Sequence, residues 1–200
     1  LITVVPVGIF ASGTAAVSAG GNNNLAISGN SISFTTALSS VFGIRAGNSL
    51  NSTVSNNTIN IETSNASIAG ISIETGFVSS TVNSNLLSKV SSTAPATIPV
   101  VRGIVIGTGQ TGSALTVANN VIYNIIAAYA TTNIGSNCAG IMLGATGVGT
   151  TYSITTGGVN LYFNSVNLYG NVDRNAATTE YGLFVGSAVT SVDFRNNILS

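Results

Sequence analysis

The chain alternates between short segments in which every second residue is apolar and stretches rich in Gly, Asn, Ser and Thr. The frame apolar-x-x-Asn-x-aliphatic occurs six times, as "ISGNSI" (27–32), "VSNNTI" (54–59), "VNSNLL" (82–87), "VANNVI" (117–122), "LYFNSV" (161–166) and "FRNNIL" (194–199). Between these copies lies a second element, Gly-aliphatic-x-apolar-Gly, as "GIRAG" (43–47), "GIVIG" (103–107), "GIMLG" (140–144) and "GLFVG" (182–186), with looser copies at 8–12 and 70–74. Strict alternation of the two elements predicts a repeat architecture.

Apolar alternation with period two predicts two short strands in each repeat, and no segment shows helical periodicity. Successive aligned asparagines are 27, 28, 35, 44 and 33 residues apart, which indicates strands of constant design joined by loops of variable length. Such a chain is typical of a solenoid, in which equivalent positions stack about 4.8 Å apart. Ile104 and Ile106 of "GIVIG" are then expected to point into a continuous aliphatic core.

The aligned asparagines are expected to form a structural ladder. They are Asn30, Asn57, Asn85, Asn120, Asn164 and Asn197. A solenoid must turn its backbone at each corner, and Asn tolerates a left-handed φ while its amide can bond to the equivalent amide one repeat away. The sequence therefore favours an architectural role over a binding role for these residues. The closing Gly of the second element is expected to serve the next corner in the same way.

From Val4 to Ser200 these motifs resemble the right-handed parallel β-helix family, which has the pectin-lyase-like fold. The resemblance implies an all-β protein: a right-handed, single-stranded parallel solenoid of about six coils, open at both ends. Residues 1–200 are expected to form one β-helix domain, and because "RNNILS" stops in mid-pattern we expect a fragment of a longer solenoid. The composition is also similar to Asn-, Thr- and Gly-rich solenoid regions of large secreted or surface-attached bacterial proteins.

Charge and cysteine content exclude several classes of function. Charged residues make up 5% of the chain, the formal net charge is zero and there is no His. A neutral chain lacks the electrostatic attraction that nucleic acid requires, and Asn, Gly and Thr interrupt every apolar run too early for membrane insertion. Cys138 is the only cysteine, which rules out an internal disulfide and a cysteine-based zinc site. We expect no cofactor and no metal.

The family resemblance raises the question of catalysis, because many members cleave or bind polysaccharides with clustered aspartates or with carboxylates on Ca²⁺. The five acidic residues fall at different places in the repeat. The best candidate group is Glu180 and Asp193 with Arg174 and Arg195. Asp193 and Arg195 share a strand face, where a solvated ion pair is the simpler interpretation. We therefore expect no catalytic site.

The outward position between the two inward residues of the second element carries a possible binding stripe. Val105, Met142 and Phe184 would form a contiguous apolar row on three adjacent repeats. Such a row could dock sugar rings or a partner domain. Alternatively, a long loop, such as 145–160 or 170–179, folds over it.

These observations predict a non-catalytic extracellular β-solenoid, a stalk or adhesion-type segment of a larger secreted or surface protein. Its expected partners are a polysaccharide or another surface protein. The alternative is a polysaccharide lyase or hydrolase-like, or carbohydrate-binding, β-helix whose main functional residues lie outside this segment.

Overall fold

The computed structural model describes residues 7–13, 21–35, 41–64, 67–94, 100–127, 138–147, 152–168 and 180–200. Within these ranges the protein is all-β and contains no helix. In chain order the strands are β1 (Val7–Ser12), β2 (Asn22–Asn23), β3 (Ala26–Ser28), β4 (Ser31–Phe34), β5 (Val41–Gly47), β6 (Ser49–Leu50), β7 (Thr53–Ser55), β8 (Thr58–Thr63), β9 (Ser67–Ile73), β10 (Phe77–Val78), β11 (Thr81–Asn83), β12 (Leu86–Ser92), β13 (Val100–Ile106), β14 (Leu115–Ala118), β15 (Val121–Tyr123), β16 (Ile125–Ala127), β17 (Cys138–Leu143), β18 (Val159–Tyr162), β19 (Ser165–Asn167), β20 (Glu180–Val185), β21 (Val192–Arg195) and β22 (Ile198–Leu199).

These strands form four sheets, and all their pairings are parallel. Sheet 1 has the order β1-β5-β9-β13-β17-β20, sheet 2 β2-β6-β10, sheet 3 β3-β7-β11-β14-β18-β21 and sheet 4 β4-β8-β12-β15-β19-β22, with β16 also paired to β12. The chain therefore visits the sheets in a recurring order, and each strand lies beside its counterpart from the next repeat. This stacking is consistent with the predicted β-solenoid.

The core is a set of aliphatic rows that run across the sheets. Ile104 is in register with Ile71 on one side and with Ile141 on the other, and all three side chains are buried, as the repeat predicts. Corresponding rows are Val54–Val82–Val117 in sheet 3 and Ile59–Leu87–Ile122 in sheet 4. Because complete burial of such a side chain contributes about 1.5–3 kcal/mol, these rows are the main favourable term in folding.

Each asparagine frame forms two strands in place of the one that the sequence pattern predicts. In "VSNNTI", Thr53–Ser55 belongs to sheet 3 and Thr58–Thr63 to sheet 4, with the asparagine pair at the corner between them. The prediction of two strands per repeat is therefore too low, because the corner ends one strand and starts the next.

The first Gly of the second element is required by close approach of the backbones in sheet 1. A Cβ on Gly43 would lie 2.5 Å from the carbonyl oxygen of Gly70, which is closer than real Cβ atoms come to any neighbour. The closing Gly has the expected left-handed φ at Gly144, where φ is 84°. Gly107 does not, and it is needed because a side chain there would collide with the Ala145 carbonyl.

Candidate functional site

The aligned asparagines lie one above another at the corner between sheets 3 and 4, and their side-chain amides form a hydrogen-bonded chain. In each neighbouring pair the Nδ2 of one residue donates to the Oδ1 of the next. The distances are 2.8 Å for Asn30–Asn57, 2.9 Å for Asn57–Asn85, Asn85–Asn120 and Asn120–Asn164, and 2.8 Å for Asn164–Asn197. We call this chain the asparagine ladder.

Every inner residue of the asparagine ladder has its amide fully used. Asn85 donates from Nδ2 to Asn120 Oδ1 and, at 3.0 Å, to the Val54 carbonyl, and its backbone N donates to Asn120 Oδ1 at 3.1 Å. Its own Oδ1 accepts from the backbone N and the Nδ2 of Asn57. Asn85 is 1% exposed, so these bonds satisfy polar groups that water cannot reach.

The left-handed turn falls on the residue before each ladder asparagine. The sequence pattern predicted it on the asparagine itself, and that prediction is wrong. The preceding residues are Gly29, Asn56, Ser84, Asn119, Phe163 and Asn196, with φ between 54° and 69°. The two asparagines of "VSNNTI" therefore have different roles: Asn56 turns the backbone, and Asn57 bonds to the next repeat. Phe163 differs from the other five residues because it has a bulky side chain, which disfavours a left-handed φ.

The predicted binding stripe exists as a row, since Val105 is in register with Met142 and Met142 with Phe184. Val105 and Met142 are fully buried, however, so the expectation of an exposed binding stripe is wrong for these two residues. They pack with Ala145, and Tyr152 packs against the same cluster. A segment that follows β17 thus covers the outer face of sheet 1, as the alternative interpretation of residues 145–160 predicts; residues 170–179 lie outside the described part.

The covering segment, whose described residues are 145–147 and 152, is held by polar contacts from two other repeats. The backbone N of Gly147 donates to Ser72 Oγ at 3.1 Å, and Arg102 Nη1 donates to the Gly147 carbonyl at 3.1 Å. The guanidinium of Arg102 lies 5.5 Å from the centre of the Tyr152 ring, and the Tyr152 and Phe184 rings meet edge to face at 5.3 Å. The segment is therefore tied to β9, β13 and β20.

Arg102 is an unusual residue in this core because it is fully buried. Loss of solvation lowers the pKa of Arg102 to about 10, and Tyr152 acts in the opposite direction. The guanidinium remains charged at neutral pH, so its contacts with Gly147 and Tyr152 compensate a buried charge. No signal in the repeat marks this position, since its neighbours in the row are Ala69 and Ala139.

The structure brings two of the candidate catalytic residues together and separates the third. Arg195 Nε donates to Asp193 Oδ1 at 2.7 Å, and the Tyr162 hydroxyl donates to Asp193 Oδ2 at 2.7 Å. Glu180 begins a strand of sheet 1, whereas Asp193 and Arg195 lie in sheet 3. Arg174 lies outside the described residues.

The environment of Asp193 is that of a stabilised carboxylate. The hydrogen bonds from Arg195 and then Tyr162 lower the pKa of Asp193, and the same carboxylate raises the pKa of Tyr162. A general acid requires a raised carboxyl pKa, so the shift is opposite to the one that acid catalysis needs. A shallow depression of about 210 Å³ lies beside it, lined by Gly158, Asn160 and Ser191 among others.

Other charged groups also form ion pairs. Arg45 Nε lies 2.7 Å from Glu74 Oε1, and Lys89 Nζ lies 2.8 Å from Glu62 Oε1. Cys138 is buried, and its Sγ lies 3.1 Å from the Ile125 carbonyl. Within the residues that the structure describes, no three His, Cys, Asp or Glu side chains come together where they could hold a metal ion.

Comparison with protein-family models, with curated proteins and with solved structures finds no match to this chain. In the described ranges there is also no helix long and apolar enough to cross a membrane.

Proposed function

We propose that this chain is a right-handed parallel β-helix of six coils and serves as a non-catalytic structural segment of a larger secreted or cell-surface protein. The coil number corresponds to the six asparagine frames and to the six strands of sheet 1. The role is that of a stalk or adhesion segment. An extracellular location is supported by the charge-poor, Asn-, Thr- and Gly-rich composition, and a second surface protein or a polysaccharide is the expected partner.

One observation carries this proposal: the polar side chains that could do chemistry take part in contacts that hold the fold. Five asparagine-to-asparagine bonds join the repeats at one corner. Glu62, Glu74 and Asp193 are each in an ion pair with Lys or Arg. The hydrogen bonds from Arg195 and Tyr162 lower the pKa of Asp193, which suits a structural contact better than general acid catalysis.

An assay with acidic and neutral polysaccharides tests the non-catalytic role. The protein is incubated with each polymer, and release of reducing ends and of unsaturated products is measured. We expect no product above that of a heat-unfolded sample. Turnover that disappears in Asp193→Asn or Glu180→Gln, while the thermal unfolding temperature is unchanged, would show that the chain is an enzyme.

A carbohydrate-binding role is the second candidate, and Phe163 is the observation that favours it. This side chain is 57% exposed although its backbone has a φ of 55°, a conformation that costs a bulky residue about 1–2 kcal/mol. Strain of this kind concentrates at functional sites. Phe163 follows Tyr162 directly along the chain, and its backbone N donates to the Arg195 carbonyl; the side chains of Tyr162 and Arg195 both bond to Asp193.

Titration calorimetry with soluble oligosaccharides tests this second candidate through Phe163→Asn. Asn occupies the equivalent position in three other repeats, at Asn56, Asn119 and Asn196, so the variant keeps the corner intact. Carbohydrate binding at this corner predicts loss of affinity together with a gain in stability. Affinity equal to that of the wild type, or no affinity in either protein, removes this candidate.

A further inference from the structure

Two corners of the second repeat, which holds β5 to β8, carry the triplet Asn-x-Thr, the acceptor pattern for N-linked sugars. The triplets are "NST" (51–53) and "NNT" (56–58). Asn51 lies between β6 and β7, at the corner of sheets 2 and 3, and Asn56 lies between β7 and β8, at the corner of sheets 3 and 4. The two triplets therefore flank one strand of sheet 3. A third triplet, at 65–67, begins outside the described residues.

The fold exposes the acceptor side chain of each triplet and buries its middle residue. Asn51 and Asn56 are exposed, and neither side-chain amide bonds to another described residue. Their φ values are 51° and 54°, a left-handed conformation that Asn tolerates. Ser52 and Asn57 are buried: Ser52 Oγ accepts from the backbone N of Leu25, and Asn57 belongs to the asparagine ladder. A sugar on Nδ2 of either acceptor would therefore displace no hydrogen bond between described residues.

The hydroxyl at the third position of the triplet is not a consequence of the repeat. In the fourth repeat Asn119 occupies the position of Asn56 and is likewise exposed and left-handed, but the third residue is Val121. In the first repeat Asn24 is exposed and left-handed at the corner of sheets 2 and 3, and the third residue is Ala26. Among the described repeats, the second alone combines the corner Asn with the hydroxyl that the acceptor pattern requires.

The face between the two acceptors lacks charge. The strands of sheets 2 and 3 contain no charged residue until β21, where Asp193 and Arg195 lie. A surface without charge favours association of protein molecules, and N-linked sugars are bulky and solubilising. Sugars on Asn51 and Asn56 would stand at the two edges of sheet 3 and supply the hydration that charged side chains do not supply there.

We propose that Asn51 and Asn56 are acceptors of N-linked sugars. In the transfer, Nδ2 forms a bond to the anomeric carbon of an activated sugar and loses one proton. The bond between that carbon and its phosphate leaving group breaks, and the leaving group keeps the bonding electron pair. The co-reactant is a nucleotide sugar or a lipid-linked oligosaccharide, and a glycosyltransferase of the host catalyses the step. This inference rests on the extracellular location given under the proposed function.

Mass spectrometry of one peptide tests the proposal. Cleavage at Arg45 and Glu62 releases residues 46–62, which contain both acceptors and exclude the triplet at 65–67. The peptide is taken from the protein purified from the organism that makes it, and from the chain secreted by a eukaryotic cell through a fused signal sequence. Fragmentation by electron transfer, which leaves sugars attached, locates them. We expect a sugar on Asn51 and on Asn56 in both preparations.

Three variants of the secreted chain serve as matched controls. Thr53→Val and Thr58→Val remove one hydroxyl each at nearly constant volume, so each should lose the sugar of its own triplet and keep the other. Val121→Thr creates the same triplet at the equivalent corner and should add a sugar to Asn119, in the tryptic fragment 103–174. Circular dichroism should show the same β-structure in all glycosylated proteins, because both acceptor amides lie outside the hydrogen bonds of the fold.

Each outcome of these measurements has a defined meaning. A single hexose supports transfer from a nucleotide sugar, and an oligosaccharide that begins with N-acetylhexosamine supports a lipid-linked donor. An unmodified peptide 46–62 in either preparation, sugars retained in both Thr→Val variants, no sugar on Asn119 of Val121→Thr, or loss of β-structure on glycosylation would each overturn the proposal. Cell fractionation separates this result from the proposed function: a natural protein that is extracellular but unmodified contradicts this inference alone, whereas one inside the cell contradicts the proposed location.

Discussion

The asparagine corner and the outer face of sheet 1 are stabilised in different ways. At the corner, identical residues recur in every repeat, and each one bonds to its own counterpart in the next repeat. On the outer face the row Phe10–Arg45–Ser72–Val105–Met142–Phe184 has no common chemistry, and part of it is buried by a segment that belongs to one repeat only. The hydrogen-bonding groups of the repeated asparagines are thus satisfied by their counterparts in neighbouring repeats. The unrepeated side chains of the outer face depend instead on contacts from a distant part of the chain.

The largest effect is expected when the asparagine ladder is broken in its middle. Asn85→Leu leaves the backbone N and Nδ2 of Asn57 without an acceptor, and it leaves Val54 O without its donor. Since each buried unsatisfied group costs about 1–3 kcal/mol, we expect the free energy of unfolding to fall by about 3–4 kcal/mol. Urea unfolding followed by circular dichroism measures it.

The matched control for the ladder variant is Asn60→Leu, because Asn60 is an exposed residue of sheet 4. We expect it to change the free energy of unfolding by less than about 0.5 kcal/mol. Equal losses in the two variants would show that the asparagine ladder contributes nothing beyond the intrinsic preference of Asn for this sheet.

A smaller and more local effect is expected when the covering segment loses its buried anchor. Arg102→Ala removes the bond to the Gly147 carbonyl and the packing against Tyr152. We expect a loss of about 2–3 kcal/mol, together with faster proteolysis near residue 147. Amide hydrogen exchange at the ladder asparagines should stay slow, because their bonds do not involve this face.

Arg102→Met sharpens the same test, since it keeps most of the side-chain volume and removes the charge. It should be closer to the wild type than Arg102→Ala, because the cost of the buried guanidinium disappears with its bonds. If exchange at the ladder asparagines accelerates in either variant, the two regions are coupled and the contrast between them fails.

A gain in stability is expected when Phe163 is replaced, because a bulky residue there occupies a left-handed corner position that is Gly, Asn or Ser in the other repeats. Phe163→Asn relieves the unfavourable φ of 55° and should raise the free energy of unfolding by about 1 kcal/mol. Phe10→Asn is the control, because Phe10 is similarly exposed but lies within β1 and has no positive φ. Thermal unfolding of both variants decides whether the gain is specific to the left-handed position; a comparable gain from Phe10→Asn would contradict it.

The smallest effect is expected from pH. The pKa of Asp193 is lowered, so its contribution is present above the ordinary carboxyl pKa and is lost as pH falls through the lowered value. The pKa of Tyr162 is raised, so its contribution is present below the ordinary phenol value and is lost only as pH rises above it. Between about pH 5 and 9 neither group titrates, and we expect a flat free energy of unfolding in urea titrations. A slope in that interval would point to another titrating group.

The sequence predicted the corner because its information is local and recurs. The frame around Asn57, Asn85 and Asn120 identifies the asparagines that meet, and Gly29, Asn56 and Asn119 could have shown which residue turns the backbone. The column of first glycines in sheet 1 was also visible in the repeat, but its cause, the close approach of neighbouring carbonyls, requires the pairing to be known.

The outer face of sheet 1 could be predicted only as a pair of alternatives. The bond between Gly147 and Ser72 spans 75 residues, and nothing in either local sequence indicates it. Arg102 was equally inaccessible to prediction, because an Arg in an outward position is ordinarily solvated. Contacts made once in the chain leave no period, so periodicity cannot reveal them.

The covering segment also bears on how the molecule would respond to mechanical tension. A force applied on the C-terminal side acts on the inter-strand hydrogen bonds of β20, β21 and β22 one strand at a time. Once those strands detach, further peeling of β17 must also release Gly147 from Ser72 and from Arg102, which belong to earlier repeats. The covering segment would therefore distribute the applied force over three repeats. We expect force–extension traces to show one large unfolding step for these repeats, whereas repeats without such a segment would detach in several small steps.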